Sequence, residues 1–166
     1  MPEPINPSHI LDHFDCGKPA LNTWLKERAL SNYLKGFTAV LVVHEELRVL
    51  GYYGLAPTSA LPSIFPRSIR TGQPPKLVPC LLLGQLAVDV SCAKQGLGSS
   101  LLRHALTRSV DAARLIGGRA LMVSAVDSEA QAYWKRRGFL ESRDDPMMLF
   151  RSMADVAASV EALSNE

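Results

Sequence analysis

Two glycines spaced two residues apart, Gly96 and Gly98, stand between an apolar run and a helical pattern, and they suggest a phosphate-binding loop. Glycine has no Cβ, so the backbone can adopt unusual φ values and approach a pyrophosphate closely. The N-terminus of a helix adds unpaired N–H groups and the positive end of its dipole, and both attract an anion. We therefore predict that backbone N–H groups between Gln95 and Ser100 bind a phosphate-bearing ligand.

Glycines at this spacing are also typical of an ordinary turn, so the pair alone is weak evidence for a ligand. Two better-known phosphate loops are excluded, because the chain has neither G-x-x-x-x-G-K-[ST] nor the third glycine of G-x-G-x-x-G. A shorter loop remains as the prediction, and the hydroxyl groups of Ser99 and Ser100 add donors to it.

A second group of residues points to an anionic substrate. Arg67, Arg70 and Lys76 lie in a proline-rich stretch without an acidic residue, and Lys and Arg supply most protein contacts to nucleic-acid phosphates. We predict that this stretch binds phosphates. The cations between Lys18 and Lys35 form either part of the same surface or an ordinary solvated helix face.

No metal site is expected from the spacing of histidines and cysteines. His9 and His13 stand four residues apart, but no carboxylate or cysteine at ligand spacing accompanies them, so we expect both on the surface. Cys16, Cys80 and Cys92 also lack metal-type spacing and are typical of reduced thiols in a cytoplasm.

The elements that position these residues follow from hydrophobic periodicity. The apolar run through Leu83, Leu86, Ala87 and Val88 predicts a strand, and apolar residues at three-and-four spacing after Gly98 predict a helix that ends at Gly117-Gly118. The other predicted elements are a helix over 18–35, a hairpin of 37–43 and 49–55 turning at 44–46, a strand over 119–126, a helix from 127 or 128 to 138, a strand over 147–150 and a helix over 154–163. This order predicts a mixed α/β fold with helices covering a sheet.

Length and composition set the general class of the protein. The 166 residues predict one domain spanning 1–166, and 47% hydrophobic with 20% charged residues permit a sizeable core. A net charge of +2 neither requires nor excludes a nucleic-acid partner, so a basic surface has to be local. No apolar segment reaches the roughly 20 residues of a membrane span. We expect a cytoplasmic protein without a membrane partner.

The residues around the two glycines resemble a known family. Leu86-Ala87-Val88-Asp89, followed by Gln95-Gly96-Leu97-Gly98 and Leu101-Leu102, is similar to the acyl-CoA-binding motif of the GNAT N-acetyltransferase superfamily. Three further blocks resemble the acetyltransferase toxins of bacterial toxin-antitoxin modules: Phe14-Asp15-Cys16-Gly17 with 21–25, the stretch 51–55, and the ending from Gly138-Phe139 to Phe150. The likeness covers nearly the whole chain.

The resemblance implies a GNAT fold, in which a central, mostly antiparallel, splayed sheet is flanked by helices on both faces. It also implies acetyl-CoA as the cosubstrate, because Asp127 and an aromatic residue on the following helix are positions that contact its pantetheine arm in this superfamily. The implied cofactor-binding residues are Leu86, Ala87, Val88, Lys94, Gln95, Gly96, Leu97, Gly98, Ser99, Ser100, Asp127 and Trp134.

The same likeness implies a general acid on the helix after Asp127, where the superfamily usually has a tyrosine four residues before the glycine. Here Trp134 occupies that position, and Tyr133 stands five residues before Gly138. One step along a helix turns a side chain by roughly 100°, and the indole N–H of Trp is no proton donor to a thiolate. Either Tyr133 protonates the departing thiolate, or water does and Tyr133 packs.

The toxin branch implies that the acceptor is the amino group of an aminoacyl-tRNA, that acetylation blocks translation, and that a ribbon-helix-helix antitoxin binds the enzyme. Arg67, Arg70 and Lys76 would then contact the tRNA. Two alternatives stay open: acetylation of a small amine or a protein N-terminus, and a catalytically inactive module that binds CoA and the antitoxin. The sequence also leaves open whether the chain forms a homodimer.

Overall fold

A computed structural model describes residues Met1–Asn165, in which strands and helices alternate along the chain. The strands are β1 (Glu3–Pro4), β2 (Ala39–Glu45), β3 (Arg48–Ala60), β4 (Val78–Val88), β5 (Ala120–Ser124), β6 (Leu140–Glu141) and β7 (Met148–Ser152). The α-helices are α1 (Pro19–Trp24), α2 (Leu30–Leu34), α3 (Leu97–Ile116), α4 (Ser128–Arg136) and α5 (Met153–Ser164). A π-helical turn, Leu25–Ala29, joins α1 to α2, and 3₁₀ turns occupy Pro62–Ile64 and Val90–Cys92.

The strands of the described chain form one seven-stranded sheet in the order β1-β2-β3-β4-β5-β7-β6. The pairs β1-β2, β2-β3, β5-β7 and β6-β7 are antiparallel, whereas β4 pairs with β5 in parallel through residues 80–83 and 120–123. The predicted mixed α/β fold with a mostly antiparallel sheet is confirmed.

The described residues divide into two compact units. The first consists of Met1–Ala56 and Gly84–Ala105, and the second of Pro57–Leu83 and the chain from Leu106 onward. The core of the first unit comprises Ile5, Phe14, Leu25, Ala29, Val40, Val42, Val49, Tyr52 and Ala87. Val40 and Val42 point into it together, because alternate side chains of a strand lie on one face.

The core of the second unit is closed in part by a connection without long regular elements. It comprises Ala60, Phe65, Ile69, Val78, Cys80, Ala120 and Phe150. Phe65 and Ile69 come from the connection between β3 and β4, and the ring of Phe65 lies 4.7 Å from that of Phe150, centroid to centroid. The connection is therefore anchored by apolar side chains.

The predicted strand, loop and helix around the two glycines are confirmed. β4 ends at Val88, α3 begins at Leu97, and α3 ends at Ile116, directly before Gly117 with its φ of 87°. Although α3 is 20 residues long, it is amphipathic and carries charged residues along its length. No described helix is long and apolar enough to cross a membrane.

Several element boundaries differ from the predicted ones. The hairpin turns at Glu46-Leu47, whose φ values are 50° and 70°, rather than at 44–46, because β2 continues through Glu45. His44 Nδ1 accepts the N–H of Leu47 at 3.1 Å and helps to hold this turn. β3 runs to Ala60 rather than 55, and the helix predicted over 18–35 contains the π-helical turn. The two-residue strands β1 and β6 were not predicted, since two residues show no periodicity.

Candidate functional site

The loop between β4 and α3 has the backbone geometry of an anion-binding site. After the 3₁₀ turn, Lys94 and Gly96 have positive φ values of 63° and 81°. The N–H of Ser100 then donates to the carbonyl of Gly96 at 3.1 Å, which starts the hydrogen-bond ladder of α3. The N–H groups of residues 97–99 lie ahead of that ladder and have no acceptor four residues back.

The loop around these N–H groups is largely open: Leu97 and Gly98 are half-buried, and the exposed residues are Lys94, Gln95, Gly96, Ser99 and Ser100. Alternation of negative and positive φ values turns neighbouring N–H groups toward one side, and such concave arrangements bind anions. The dipole of α3 adds its positive end at the same place. The loop is therefore able to hold a pyrophosphate with backbone atoms.

The two glycines of the loop differ in how strongly the fold favours glycine at their positions. Gly96 has a φ of 81°, which L side chains rarely adopt, and nothing lies within 4 Å of a Cβ placed on it. Gly98 has no positive φ, and a Cβ there would meet only the Cγ2 of Val88 at 3.7 Å. The backbone conformation favours glycine at 96, whereas the fold accepts a side chain at 98.

A pair of aspartates fixes the point where the chain leaves β4. The carboxylate of Asp89 is buried and accepts the N–H groups of Ser91 and Asp15, each at 3.0 Å. The N–H of Asp89 donates to the carbonyl of Leu50, and the N–H of Val90 donates to the carbonyl of Asp15, each at 2.8 Å. This Asp15-Asp89 clamp ties the N-terminal segment to the entrance of the loop.

Both carboxyl groups of the clamp are ionised in neutral solution. Hydrogen bonds from the N–H of Gly17 at 2.9 Å and from Asn22 Nδ2 at 3.0 Å lower the pKa of Asp15. Burial raises the pKa of Asp89, but the N–H groups of Asp15 and Ser91 outweigh this effect and lower the pKa overall. The clamp is therefore complete at neutral pH, since a carboxylate accepts N–H bonds better than a neutral carboxyl group.

Tyr52 of β3 joins the N-terminal segment to the sheet. Its ring centroid lies 5.7 Å from that of Phe14 and 5.9 Å from that of Trp24, on which it is stacked. Its hydroxyl donates to the carbonyl of Leu21 at 2.7 Å, and burial raises its pKa. The motif around Phe14 and the motif around Tyr52, both part of the resemblance to the toxins, therefore form one packed group.

The residues predicted to act on the thioester lie on α4 and directly before it. Asp127 is the N-cap of α4, and its Oδ1 accepts the N–H of Ala130 at 2.8 Å. Trp134 is buried, with its ring centroid 5.1 Å from that of Phe139, whereas Tyr133 is partly exposed. Trp134 thus fills a packing position of α4, and the phenol stands one residue away from it.

Tyr133 has a cationic surrounding. The guanidinium carbon of Arg137 lies 3.4 Å from its ring centroid, and Arg137 Nη1 donates to its carbonyl at 3.0 Å. Burial raises the pKa of the Tyr133 phenol, although Arg137 and Arg136 act in the opposite direction. The phenol therefore keeps its proton at neutral pH, as a general acid must.

The cations predicted to bind the substrate are all exposed on the connection between β3 and β4: Arg67, Arg70 and Lys76. Arg119 fixes this connection by donating from Nε and Nη2 to the carbonyl of Ile69 at 3.1 and 2.8 Å. The N–H of Arg143 donates to the carbonyl of Ile64 at 2.9 Å. Residues 57–88 include no Asp or Glu, so the charged side chains of the connection itself are all cationic.

One group of potential metal ligands comes together within the described chain, namely Glu3, His9 and His44. Glu3 Oε1 lies 3.0 Å from His9 Nε2 and 2.7 Å from His44 Nε2. The Nδ1 atoms accept the N–H groups of Asn6 and Leu47, so in the neutral rings Nε2 carries the proton. A metal ligand needs that nitrogen unprotonated. The arrangement suits hydrogen bonds to Glu3, which join β1 to β2.

The expectation that His9 lies on the surface is wrong, because the residue is only 7% exposed. Spacing along the sequence did not reveal its partner, since Glu3 and His44 reach it through strand pairing between β1 and β2. His13 is partly buried, and its Nε2 lies 3.1 Å from the carbonyl oxygen of Val49.

The predicted site residues fall in both units. Residues 86–88 and 94–100 belong to the first unit, where the end of β4 and the start of α3 bring them together. Asp127, Tyr133 and Trp134 belong to the second unit, as do the three cations. The Asp15-Asp89 clamp and Arg137 were not predicted from the sequence. Arg137 had a recognisable signal, because residues four apart on a helix are neighbours.

The chain is similar to known proteins over nearly its whole length. No protein-family model matches it. A tRNA-acetylating toxin of Mycobacterium tuberculosis is 38% identical over 159 residues, which cover 96% of this chain and 95% of the toxin. AtaT complexed with acetyl-methionyl-tRNAfMet has a TM-score of 0.85 at 27% identity, covering 95% of this chain and 97% of AtaT. An AtaT mutant toxin bound to the C-terminus of the antitoxin AtaR and acetyl-CoA has a TM-score of 0.80 at 27% identity, covering 100% and 98%.

Proposed function

The chain belongs to the family of tRNA-acetylating toxins, acetyltransferases of toxin-antitoxin modules, and from this premise we propose that it transfers the acetyl group of acetyl-CoA to the amino group of an aminoacyl-tRNA. An acetylated amino group is no longer a nucleophile for peptide-bond formation. The product therefore blocks translation.

The observation that carries this proposal is the similarity to the Mycobacterium tuberculosis toxin, at 38% identity over 96% of the chain. The loop between β4 and α3 supports the acetyl-CoA part independently, because its backbone suits a pyrophosphate. No specific observation favours a small amine, a protein N-terminus or an inactive module. Residues 1–166 act, in this proposal, as one catalytic domain.

The pyrophosphate of acetyl-CoA is bound by the N–H groups at the start of α3, and its pantetheine arm follows the end of β4. The strand residues in this assignment are Leu86, Ala87 and Val88. The loop residues are Lys94, Gln95, Gly96, Leu97, Gly98, Ser99 and Ser100. Asp127 and Trp134 are further contacts to the arm. The Asp15-Asp89 clamp touches no ligand in this assignment but holds the loop in position.

In the reaction, the neutral amine attacks the thioester carbonyl carbon, a C–N bond forms and the C–S bond breaks. A backbone N–H near Val88 stabilises the developing charge on the carbonyl oxygen. The amine releases a proton to water, and Tyr133 gives its phenolic proton to the departing thiolate and regains one from water. Most of the rate acceleration comes from holding the two substrates together.

The acceptor is held through its phosphates, and the toxin is controlled by an antitoxin. Arg67, Arg70 and Lys76 contact the tRNA backbone, since they are exposed cations on a connection without acids. The complex of AtaT with the C-terminus of AtaR supports an antitoxin partner for this chain. Charged tRNA is a cytoplasmic molecule, so the enzyme acts in the cytoplasm.

A charge-reversed variant tests the acceptor. We expect Arg67→Glu with Arg70→Glu to lower acetyl transfer to aminoacyl-tRNA by roughly tenfold or more at moderate salt, because each lost phosphate contact removes counterion release. Calorimetry should show unchanged acetyl-CoA affinity. Arg108→Glu is the matched control, an exposed arginine on α3 outside the connection, and should act like the parent.

The alternative acceptors predict a different result in the same assay. An enzyme for a small amine or a protein N-terminus should acetylate amino-acid amides or peptides better than charged tRNA, and the double variant should keep its full rate. An inactive module should bind acetyl-CoA and turn over none. Either result would remove tRNA acetylation as the function.

A further inference from the structure

A cavity of about 270 Å³ lies among the proposed tRNA-binding cations, within the second unit. Its floor is formed by the core side chains Phe65, Ile69 and Val78, and its rim includes Arg70, Thr71 and Arg119. Four prolines complete the lining. The proposed reaction uses neither the cavity nor its apolar floor, so the cavity calls for a separate explanation.

The floor and walls of the cavity are apolar and preformed. Phe65 and Ile69 are 2% and 3% exposed, so their packing in the core fixes the floor. Proline has a fixed φ and no N–H, and a wall of prolines therefore offers little flexibility and few donors. An apolar side chain that enters such a cavity loses contact with water without having to order a loop.

The rim of the cavity is cationic and partly fixed. Arg119 is held by two hydrogen bonds to the carbonyl of Ile69, and its Nη1 has no hydrogen-bond partner among the described residues. Arg70 is exposed beside it. The turn that contacts Ile64 through the N–H of Arg143 carries two acids, and both have partners within the turn. Asp144 accepts from Ser142 Oγ at 2.6 Å, and Asp145 accepts the N–H of Met147 at 2.9 Å. The rim therefore suits carboxylates brought by a ligand.

We propose that this cavity is the docking site for one apolar side chain of an acidic peptide segment, as the antitoxin of this toxin would supply. The apolar side chain fills the cavity, and carboxylates on either side of it pair with Arg70 and Arg119. The proposal rests on the proposed function, because that function supplies an antitoxin as the partner.

An RNA base is a poorer occupant of the cavity than an apolar side chain. The edge of a base carries several donors and acceptors, and burial without partners disfavours them. The lining of this cavity offers such groups almost only at Arg70, Thr71 and Arg119. A leucine or phenylalanine side chain has no polar atoms to satisfy. The chemistry of the lining therefore favours a peptide.

Docking at this place has a consequence for the enzyme. Arg70 lies on the rim of the cavity and is also one of the cations proposed to contact tRNA. A carboxylate paired with Arg70 takes the place of a phosphate, so the peptide and the tRNA compete for this surface. Inhibition should be competitive with charged tRNA and should leave the affinity for acetyl-CoA unchanged.

Synthetic peptides test the docking site directly by fluorescence anisotropy. The probes carry a single leucine or phenylalanine flanked by aspartates and glutamates, and matched probes carry asparagine in its place. We expect the apolar probes to bind at least about tenfold more tightly, as burial of one such side chain provides. Thr71→Trp fills the cavity from its exposed rim and should abolish this preference. Gln73→Trp lies on the same connection outside the lining and should keep it.

Acetylation of charged tRNA by Thr71→Trp should stay near the parent rate. The proposal is overturned if apolar and asparagine probes bind equally or not at all at millimolar concentration, or if Thr71→Trp retains the preference. Two other results would also overturn it. If Thr71→Trp weakens tRNA binding instead, the cavity binds RNA. If Thr71→Trp changes only self-association, the cavity binds a second copy of the chain. Preferential peptide binding by a protein that acetylates no tRNA would refute the proposed function and leave the docking site standing.

Discussion

The loop between β4 and α3 and the helix α4 both carry predicted site residues, but they depend on the sequence in different ways. In the loop, the proposed binding of the pyrophosphate rests on backbone N–H groups, and side chains matter mainly through the φ values of Lys94 and Gly96. On α4, the proposed chemistry rests on one phenol, so a shift by a single residue turns it by roughly 100°. Backbone sites are therefore easier to recognise in a sequence than sites that depend on one side chain.

The largest expected effect comes from removing the phenol on α4. Tyr133→Phe should lower the single-turnover rate of acetyl transfer by roughly 100-fold or more, because a general acid contributes at least that much. Acetyl-CoA affinity should stay nearly unchanged, since only the transition state uses the proton. A Phe variant at the parental rate would show that Tyr133 only packs. The difference between the loop and α4 would then not extend to catalysis.

Trp134→Tyr is the companion variant, because it restores a phenol at the usual position of the superfamily. Trp134 is buried against Phe139, so this change should also lower the melting temperature. If it restores activity to Tyr133→Phe in the double variant, the phenol is needed but its exact position is not.

The next largest effect is expected in the loop. Gly96→Val should weaken acetyl-CoA binding by about 10- to 100-fold in calorimetry, because a β-branched residue at a φ of 81° costs about 1–3 kcal/mol and the loop must be forced into its binding conformation. Gly98→Ala is the matched control for folding, since its Cβ would make only an ordinary contact with Val88. The control should melt like the parent. Unchanged affinity in a folded Gly96→Val protein would refute the assigned loop.

A smaller effect is expected from the Asp15-Asp89 clamp, which acts on the loop from outside. Asp89→Asn keeps the shape but replaces a charged acceptor of two N–H groups, so the KM for acetyl-CoA should rise by about tenfold while kcat changes little. Asp12→Asn, an exposed aspartate in the same N-terminal segment, should have no effect. A tenfold loss of kcat with an unchanged KM for acetyl-CoA would contradict a positioning role.

The smallest effect is expected in the pH profile. Burial raises the pKa of Tyr133, so the phenol keeps its proton as the pH rises to about 10, the ordinary tyrosine value. The parental rate at saturating substrate should therefore rise as the acceptor amine loses its proton near pH 8, and it should begin to fall only above about pH 10. A decline that begins near pH 8 and vanishes in Tyr133→Phe would mean that the pKa is lowered instead.

Much of the backbone was predictable from the sequence, and the reasons are local. The strand before Gly96, the long helix after it and the caps at Asp127 and Gly138 follow from periodicity and from residues with a strong conformational preference. The hairpin turn at Glu46-Leu47 was misplaced because neither residue favours positive φ, and a contact with His44 helps to hold it.

Contacts between distant segments were not predictable from spacing. Asp89 meets Asp15 across 74 positions, and Tyr53 meets His104 across 51, because strand and helix packing brings them together. His9 appeared isolated in the sequence but is buried beside Glu3 and His44. The strand, loop and helix were predicted and are present, whereas the ligand contacts of the loop and the roles of Tyr133, Asp127, Trp134 and the three cations stay predictions.

The most direct test of acetyl transfer to aminoacyl-tRNA is the identity of the acetylated product. The purified protein is incubated with labelled acetyl-CoA and charged tRNA, the tRNA is digested with nuclease, and the terminal adenosine is examined by mass spectrometry. We expect an N-acetylaminoacyl-adenosine that is absent with uncharged tRNA and strongly reduced with Tyr133→Phe. Label on protein or free amines but none on the aminoacyl group would contradict the account.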